Sequence, residues 1–297
     1  MISDLICGGA RERTDVMPSS DVPQPFSIPV PQQSEESPQG MIHSVAATTH
    51  PAASWLGQDT ARRLGIFQLP ENFFLSVVIP VYNEVNTIES VVERVRSSGL
   101  PIEVILVDDG SRDGSREKLK QFETMPKTKV IFHEKNRGKG AAIKTGFSQA
   151  TGDIVVIQDA DMEYDPQDFR YLIQPIIEGE ADVVYGTRYG HQDRPVAPLW
   201  HYAVNRIISI LTSIKTGLYF SDVETCYKLF PRKLIQELVP KLRENRFGIE
   251  IEVTIRLARQ KIRFYERHIR YHRRSWDQGK KIGWKDGIRA LWCIVRY

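Results

Sequence analysis

The chain is poor in cysteine: Cys7, Cys226 and Cys293 are all that its 297 residues contain, odd in number and widely spaced. That excludes a disulfide framework and a cysteine-built zinc site, and points to reduced, buried thiols acting as small hydrophobes. Long apolar runs are missing too. No stretch approaches the ~18 apolar residues that a membrane span needs, so the chain is not expected to cross a bilayer. The apolar stretch within the first ten residues is short, follows Asp4 and lacks a basic segment, which argues against a secretory signal. A cytoplasmic location, with peripheral contact at the inner membrane face as an open option, is the expectation. Two nucleotide signatures are also absent. No G-x-G-x-x-G follows the first strand, against a dinucleotide oxidoreductase, and no G-x-x-x-x-G-K-[ST] suggests a P-loop. No nucleic-acid partner is expected.

A hydrophobic content of 41% is enough for a sizeable core. It is not spread evenly. The first 70 residues are rich in Pro, Ser, Gln and Thr without apolar periodicity and read as a disordered tail, with residues 1 to 60 excluded from the fold. Charge is uneven as well: from Arg256 to Tyr297 there are 13 Lys+Arg against 3 Asp+Glu, a local net of +10. Such a face suits anionic phospholipid or a phosphorylated substrate, or is a solvated surface.

From Leu75 onward, apolar runs alternate with helical spacing. Strands are expected at Leu75 to Ile79, Ile102 to Val107, Lys129 to Phe132, Ile154 to Ile157 and Asp182 to Tyr185. Val85, Ile88, Val91, Val92 and Val95 mark a helix with Asn83 as its cap. Further helices are expected over Ala141 to Ala150, Trp200 to Lys215 and Gly248 to Arg259. Tyr271 to Gly283 is basic and reads as a mobile, substrate-covering loop. Trp284 to Tyr297 places Trp284, Ile288, Leu291, Trp292 and Val295 on one side, which is expected to dock on the core rather than a membrane. Successive strands end in polar, mostly glycine-containing loops, the signature of a parallel sheet with a nucleotide-sized site at its carboxyl edge. Asp159-Ala160-Asp161 lies at one such edge, where a strand breaking into a loop lets two carboxylates converge on Mg²⁺ or Mn²⁺ bridged to a diphosphate.

Ser76 to Glu84 (SVVIPVYNE), Val107-Asp108-Asp109-Gly110-Ser111, Asn136-Arg137-Gly138-Lys139-Gly140, Asp159-Ala160-Asp161 and Gly186-Thr187-Arg188, in this order, resemble the family 2 glycosyltransferases of GT-A fold. Within these the chain looks most like dolichyl-phosphate and polyprenyl-phosphate mannosyltransferases and their bacterial relatives. The likeness spans about residues 75 to 283. Lys228 stands where that family usually has Arg, Cys226 replaces a small residue, and neither a membrane-spanning tail nor the Gln-x-x-Arg-Trp of processive synthases is found.

The resemblance implies an α/β GT-A domain over 71–297, with a mostly parallel sheet flanked by helices. It implies inverting, metal-dependent transfer of a hexose, mannose or glucose, from a GDP-mannose or UDP-glucose type donor to a polyprenyl phosphate. Pro80, Tyr82 and Glu84 would wall the base and ribose. Val107 would join them, and Asp108 or Asp109 would accept from a ring N–H while the other caps a turn. Lys139, Ala160, Arg188, Arg274 and Lys281 would complete the donor site, the last three as cations on phosphate. Asp159 and Asp161, with Glu163 as a third ligand, would hold Mg²⁺ or Mn²⁺, and Asp161 and Arg188 count as catalytic. A hydroxyl acceptor needs a general base, Asp222 or Glu224. A lipid phosphate does not, its second pKa lying at about 6, and Asp222 would then orient a cation such as Lys228. A transferase acting on a hydroxyl of a polysaccharide or small molecule is the first alternative; a non-catalytic nucleotide-sugar-binding protein is the second.

Overall fold

The computed structural model describes residues 55–189, 199–273 and 284–297. After a short helix α1 (Gln58–Arg63), strand β1 (Leu75–Val81) is apolar except for Ser76 and buried except at Pro80. Uninterrupted apolarity of this kind fits only a strand covered on both faces, as parallel sheets require. β2 (Ile102–Asp108) and β4 (Ile154–Ile157) flank it in parallel, and β3 (Thr128–Phe132) continues beyond β2. On the other side β6 (Lys228–Pro231) runs antiparallel to both β4 and β5 (Val183–Thr187), and β7 (Phe264–His268) closes the edge parallel to β5. The seven-stranded order is β3-β2-β1-β4-β6-β5-β7. The chain runs outward from β1 to β3 and then returns to place β4 on β1's other side. That reversal opens a crevice beyond the carboxyl ends of β1 and β4, the usual ligand position in open α/β sheets.

Helices α2 (Ile88–Arg96), α3 (Ser115–Lys120), α4 (Lys139–Gln149) and α5 (Phe169–Ile177) fill the connections of this half. α6 (Leu199–Thr216), α7 (Arg232–Leu238), α8 (Ile249–Ala258) and α9 (Trp284–Arg296) belong to the second. α4 crosses β1 so closely that a Cβ on Gly146 would stand 2.2 Å from Val78 Cγ1. Only glycine permits that approach, which sets the N-terminus of α4 at the crevice.

Three expectations need correction, and one strand was not expected. The tail boundary at 60 to 70 is too late: Ala61 and Phe67 are buried, and Arg170 donates to the carbonyls of Gly65 and Phe67. Asn83 does not cap α2, which starts after Thr87; Asn83 adopts a φ of 52° and its side chain accepts from Arg112 N. β7 has no clean alternation (FYERH), and the sequence gives no strand signal there. In α9 the docking face is the opposite one. Ala290, Cys293, Ile294 and Tyr297 are buried, while Ile288, Leu291, Trp292 and Val295 are exposed. No described helix is long and apolar enough to cross a membrane. Cys226 and Cys293 are free and buried.

Candidate active site

At the crevice lies a cavity of about 400 Å³. The exit of β1 supplies Pro80, Val81, Tyr82 and Glu84; the exit of β4 supplies Asp159, Ala160, Asp161, Glu163 and Tyr164. Their backbones are tied together, because the Thr87 hydroxyl lies 2.7 Å from both Glu84 Oε2 and Ala160 O.

The two aspartates after β2 divide their labour. Asp108 is fully buried and accepts from the backbone N–H groups of Gly110 and Ser111, so it is the turn cap. Asp109 lines the cavity; it accepts from the N–H groups of Arg137 and Gly138 and faces His133 Nδ1 at 2.8 Å. Asp109 therefore positions the Asn136–Gly140 loop. Gly138, at φ 101°, abuts the next wall so tightly that a Cβ would meet Asn245 O at 2.3 Å. Val107 is buried in the core and does not reach the cavity.

Lys139, the first residue of α4, lies 2.7 Å from Asp159 Oδ1 and 3.5 Å from Glu250 Oε1. Burial alone would lower its ammonium pKa, but Asp159 and Glu250 more than offset this and hold it above the ordinary lysine value. Asp161 accepts from Glu163 N at 3.1 Å. The Glu163 carboxylate is taken by the Tyr271 hydroxyl, and the Glu163 carbonyl accepts from His272 N. Among the described residues no three His, Cys, Asp or Glu side chains are gathered to cage a metal ion. Glu163, expected as a third ligand, is engaged by Tyr271 beside the isolated strand bridge Tyr164–Tyr271.

Arg188 follows β5, and Asp222 precedes β6 on the neighbouring strand. They form a bidentate pair at 2.7 Å for both contacts, with Arg188 N also donating to Asp222 Oδ2. Burial works against the guanidinium charge, and Asp222 more than restores it. Arg188 lines the cavity and lies over the Tyr271 ring. Asp222 is fully buried and is not among the lining residues, so it is neither placed as a base nor partnered with Lys228. Lys228 is fully buried instead and donates to Val223 O, Thr225 O and Glu250 Oε2. Both carbonyls flank Glu224. The lysine thereby holds Glu224 against the cavity, where its Oε1 is shut off from solvent without a hydrogen-bond partner among the described residues. Burial pushes the Glu224 carboxyl up to about 7, against the pull of Lys228 and Arg188.

Of the expected site residues, the cavity gathers Pro80, Tyr82, Glu84, Asp109, Lys139, Asp159, Ala160, Asp161, Glu163, Arg188 and Glu224. Arg274 and Lys281 lie outside the described residues. Asn205 of α6 and Glu250 of α8, with Arg246 and Phe247 just before α8, also line it and were not expected. One signal for Glu250 existed: Ile249–Thr254 (IEIEVT) places two acids where its helix is otherwise apolar, and both are buried.

Residues 76–239 match the family model "Glycosyl transferase family 2". The chain belongs to this family. A relative from Methanococcus voltae, a UDP-N-acetylglucosamine–dolichyl-phosphate N-acetylglucosaminyltransferase, is 30% identical over 236 residues, covering 72% of this chain and 94% of that one. An undecaprenyl-phosphate 4-deoxy-4-formamido-L-arabinose transferase from Pectobacterium carotovorum is 33% identical over 171 residues, 56% of this chain and 51% of that one. The chain thus spans about half the length of such curated relatives. Glucosyl-3-phosphoglycerate synthase from Mycobacterium tuberculosis, crystallised with Mn²⁺, uridine diphosphate and phosphoglyceric acid, superposes with a TM-score of 0.55 over 81% of this chain and 82% of that one at 22% identity. The family fold is GT-A, as the motifs implied.

Proposed function

We propose that this family 2 member transfers a hexose from a nucleoside diphosphate sugar to a polyprenyl phosphate, with inversion at the anomeric carbon. The observation that carries the reading is one cavity joining an acidic wall, Asp159 and Asp161, to a cationic one, Arg188 locked by Asp222. The Methanococcus relative supports the acceptor class by its name and its 94% coverage.

Tyr82 and Glu84 are exposed enough to meet a base and ribose, and Asp109 with the Asn136–Lys139 loop forms the adjoining wall. Asp159 and Asp161 fit a divalent cation, since Mg²⁺ or Mn²⁺ takes one or two carboxylates and fills its other positions with phosphate oxygens and water. Such an ion, when bound, neutralises charge on the leaving diphosphate. Lys139 is shared between Asp159 and Glu250, so it is a second cation available to the diphosphate. Arg188 presents a rigid fork suited to phosphate oxygens because Asp222 has already fixed its plane.

A dianionic phosphate attacks without a base, and a protonated Glu224 can donate to it. A hydroxyl acceptor remains the second reading, favoured by Glu224 itself: an orphaned carboxyl oxygen with a pKa near 7 is a competent general base. The test is a screen of GDP- and UDP-sugars measuring nucleoside diphosphate release with and without a polyprenyl phosphate. Release that depends on the lipid phosphate is expected. Release driven only by hydroxyl acceptors would replace the reading with the second.

A further inference from the structure

Helix α6 buries Ile208 in the core, yet most of its apolar residues face outward. Its fully buried positions include Ser209 and Thr212, whereas Val204, Ile207, Ile210, Leu211 and Ile214 are 38–74% exposed. The hydroxyls of Ser209 and Ser213 hold the loop that carries Asp222 and Glu224: Val223 N donates to Ser209 Oγ, and Phe220 N to Ser213 Oγ. That explains the polar inner face but leaves the outer one unexplained. A surface helix ordinarily shows the reverse pattern. α9 docks through an apolar inner face but also carries an outer apolar stripe, Ile288, Leu291, Trp292 and Val295, 40–80% exposed. The two stripes adjoin, because Lys215 Nζ reaches Val295 O at 3.4 Å and a Cβ on Gly287 would lie 3.9 Å from Val204 Cγ1. Patches of this extent mark an interaction surface.

Charge identifies the partner. The 18 residues of α6 contain no acid and carry Arg206 and Lys215; α9 has Lys285, Arg289 and Arg296 against the single acid Asp286, with Arg289 paired to the buried Glu244 and Arg296 left on the outer side. Arg206 lies over Tyr219, 72% exposed just beyond α6, and Arg296 lies 4.4 Å from the Trp292 ring centroid. Apolar stripes edged by aromatics and long basic side chains fit the interface of a bilayer with anionic headgroups.

We propose that the joined outer faces of α6 and α9 dock the protein on an anionic phospholipid surface. The geometry gives the contact a use, which rests on the lipid-phosphate reading above. Asn205, on the same helix, lines the cavity and bonds Tyr189 beside Arg188, so a docked α6 sets the cavity beside the headgroup layer.

The experiment is co-sedimentation of the full chain with vesicles of phosphatidylcholine alone and of phosphatidylcholine with phosphatidylglycerol. Binding to the anionic vesicles is expected, weakening with salt. Ile207→Glu with Ile214→Glu should reduce partitioning by about tenfold or more per exchange, and Arg206→Gln or Lys215→Gln by about fivefold each. Leu64→Glu, at another exposed apolar residue, should change nothing, and melting temperatures of all variants should stay close to the parent's. Equal binding by parent and the Ile207/Ile214 variant, or none by the parent, overturns the proposal. So does a dimer that the same exchanges dissociate in sedimentation velocity, since a second copy would then cover the face. A water-soluble short-chain polyprenyl phosphate separates the two readings. Turnover without vesicle binding removes the docking surface and keeps the acceptor; vesicle binding without turnover does the opposite.

Discussion

Replacing Glu224 by glutamine tests both the buried carboxyl and the acceptor class. Burial raises this group from an ordinary 4.5 to about 7, with Lys228 and Arg188 opposing and Glu250 and Asp222 adding. A carboxyl whose folded pKa exceeds its unfolded one stabilises the protein fully below the unfolded value, and loses that contribution as pH rises through the folded value. The window therefore runs from about 4.5 to about 7. A carboxyl held at about 7 in place of 4.5 makes the ionised side chain cost about 3 kcal/mol above pH 8, at ~1.4 kcal/mol for each tenfold change in proton affinity. The isosteric amide carries no charge, so Glu224→Gln should match the parent below pH 4 and exceed its stability by about 3 kcal/mol at pH 8, read from urea unfolding. Kinetics should follow the same sign. With a polyprenyl phosphate, the parent should lose turnover above pH 7, where an ionised Glu224 faces a dianionic phosphate, and the variant should lack that alkaline limb. A stability difference independent of pH would refute the buried-carboxyl argument. A variant that folds but has lost turnover by a hundredfold or more at every pH would make Glu224 the general base and the acceptor a hydroxyl.

Asp161→Ala should abolish transfer with little change in melting temperature, and chelation by EDTA should do the same, reversed by Mg²⁺ or Mn²⁺; full activity in chelator removes the metal assignment. Asp222→Ala leaves Arg188 without its bidentate partner and should cost about 3–5 kcal/mol of stability in denaturant titration, besides lowering turnover. Lys228→Met strands Glu250 and two carbonyls and should cost a similar amount; a change below about 1 kcal/mol would show that the buried ammonium holds nothing. Deleting residues 1–54 should leave turnover and unfolding midpoint nearly unchanged, whereas extending the cut through Phe67 should lower the midpoint, because Ala61 and Phe67 are buried.

The sheet was legible wherever a strand is buried on both faces. Val77 to Ile79, Ile105 to Val107 and Ile154 to Ile157 are apolar because neither face meets water, and the polar loops after them announce the functional edge. β7 was not legible, for the converse reason: it is an edge strand whose residues 264–268 are all partly exposed or exposed, so no burial pattern disciplines its composition. The outer stripe of α9 misled for a related reason. Spacing identifies an apolar stripe but not what the stripe faces, and α9 has two: one of Ala290, Cys293 and Ile294 packed inward, and a larger one left outside.

The site shows the same division at the level of single charges. Sequence marks carboxylates and cations but not their pairing, and here pairing decides role. Asp108 and Asp109 are adjacent in sequence, yet one caps a turn inside the fold and the other steadies a cavity loop. Asp222 and Glu224 are two residues apart. Asp222 has both oxygens on Arg188, while Glu224 keeps one oxygen unpartnered because Lys228, its nearest cation in sequence, is drawn to Glu250 on another helix. A buried ammonium with three acceptors has no donor left for a fourth. Lys228 thus bears on Glu224 by holding the 223–225 backbone and through its charge, which opposes the rise that burial imposes, and both depend on a contact with a helix more than twenty residues away.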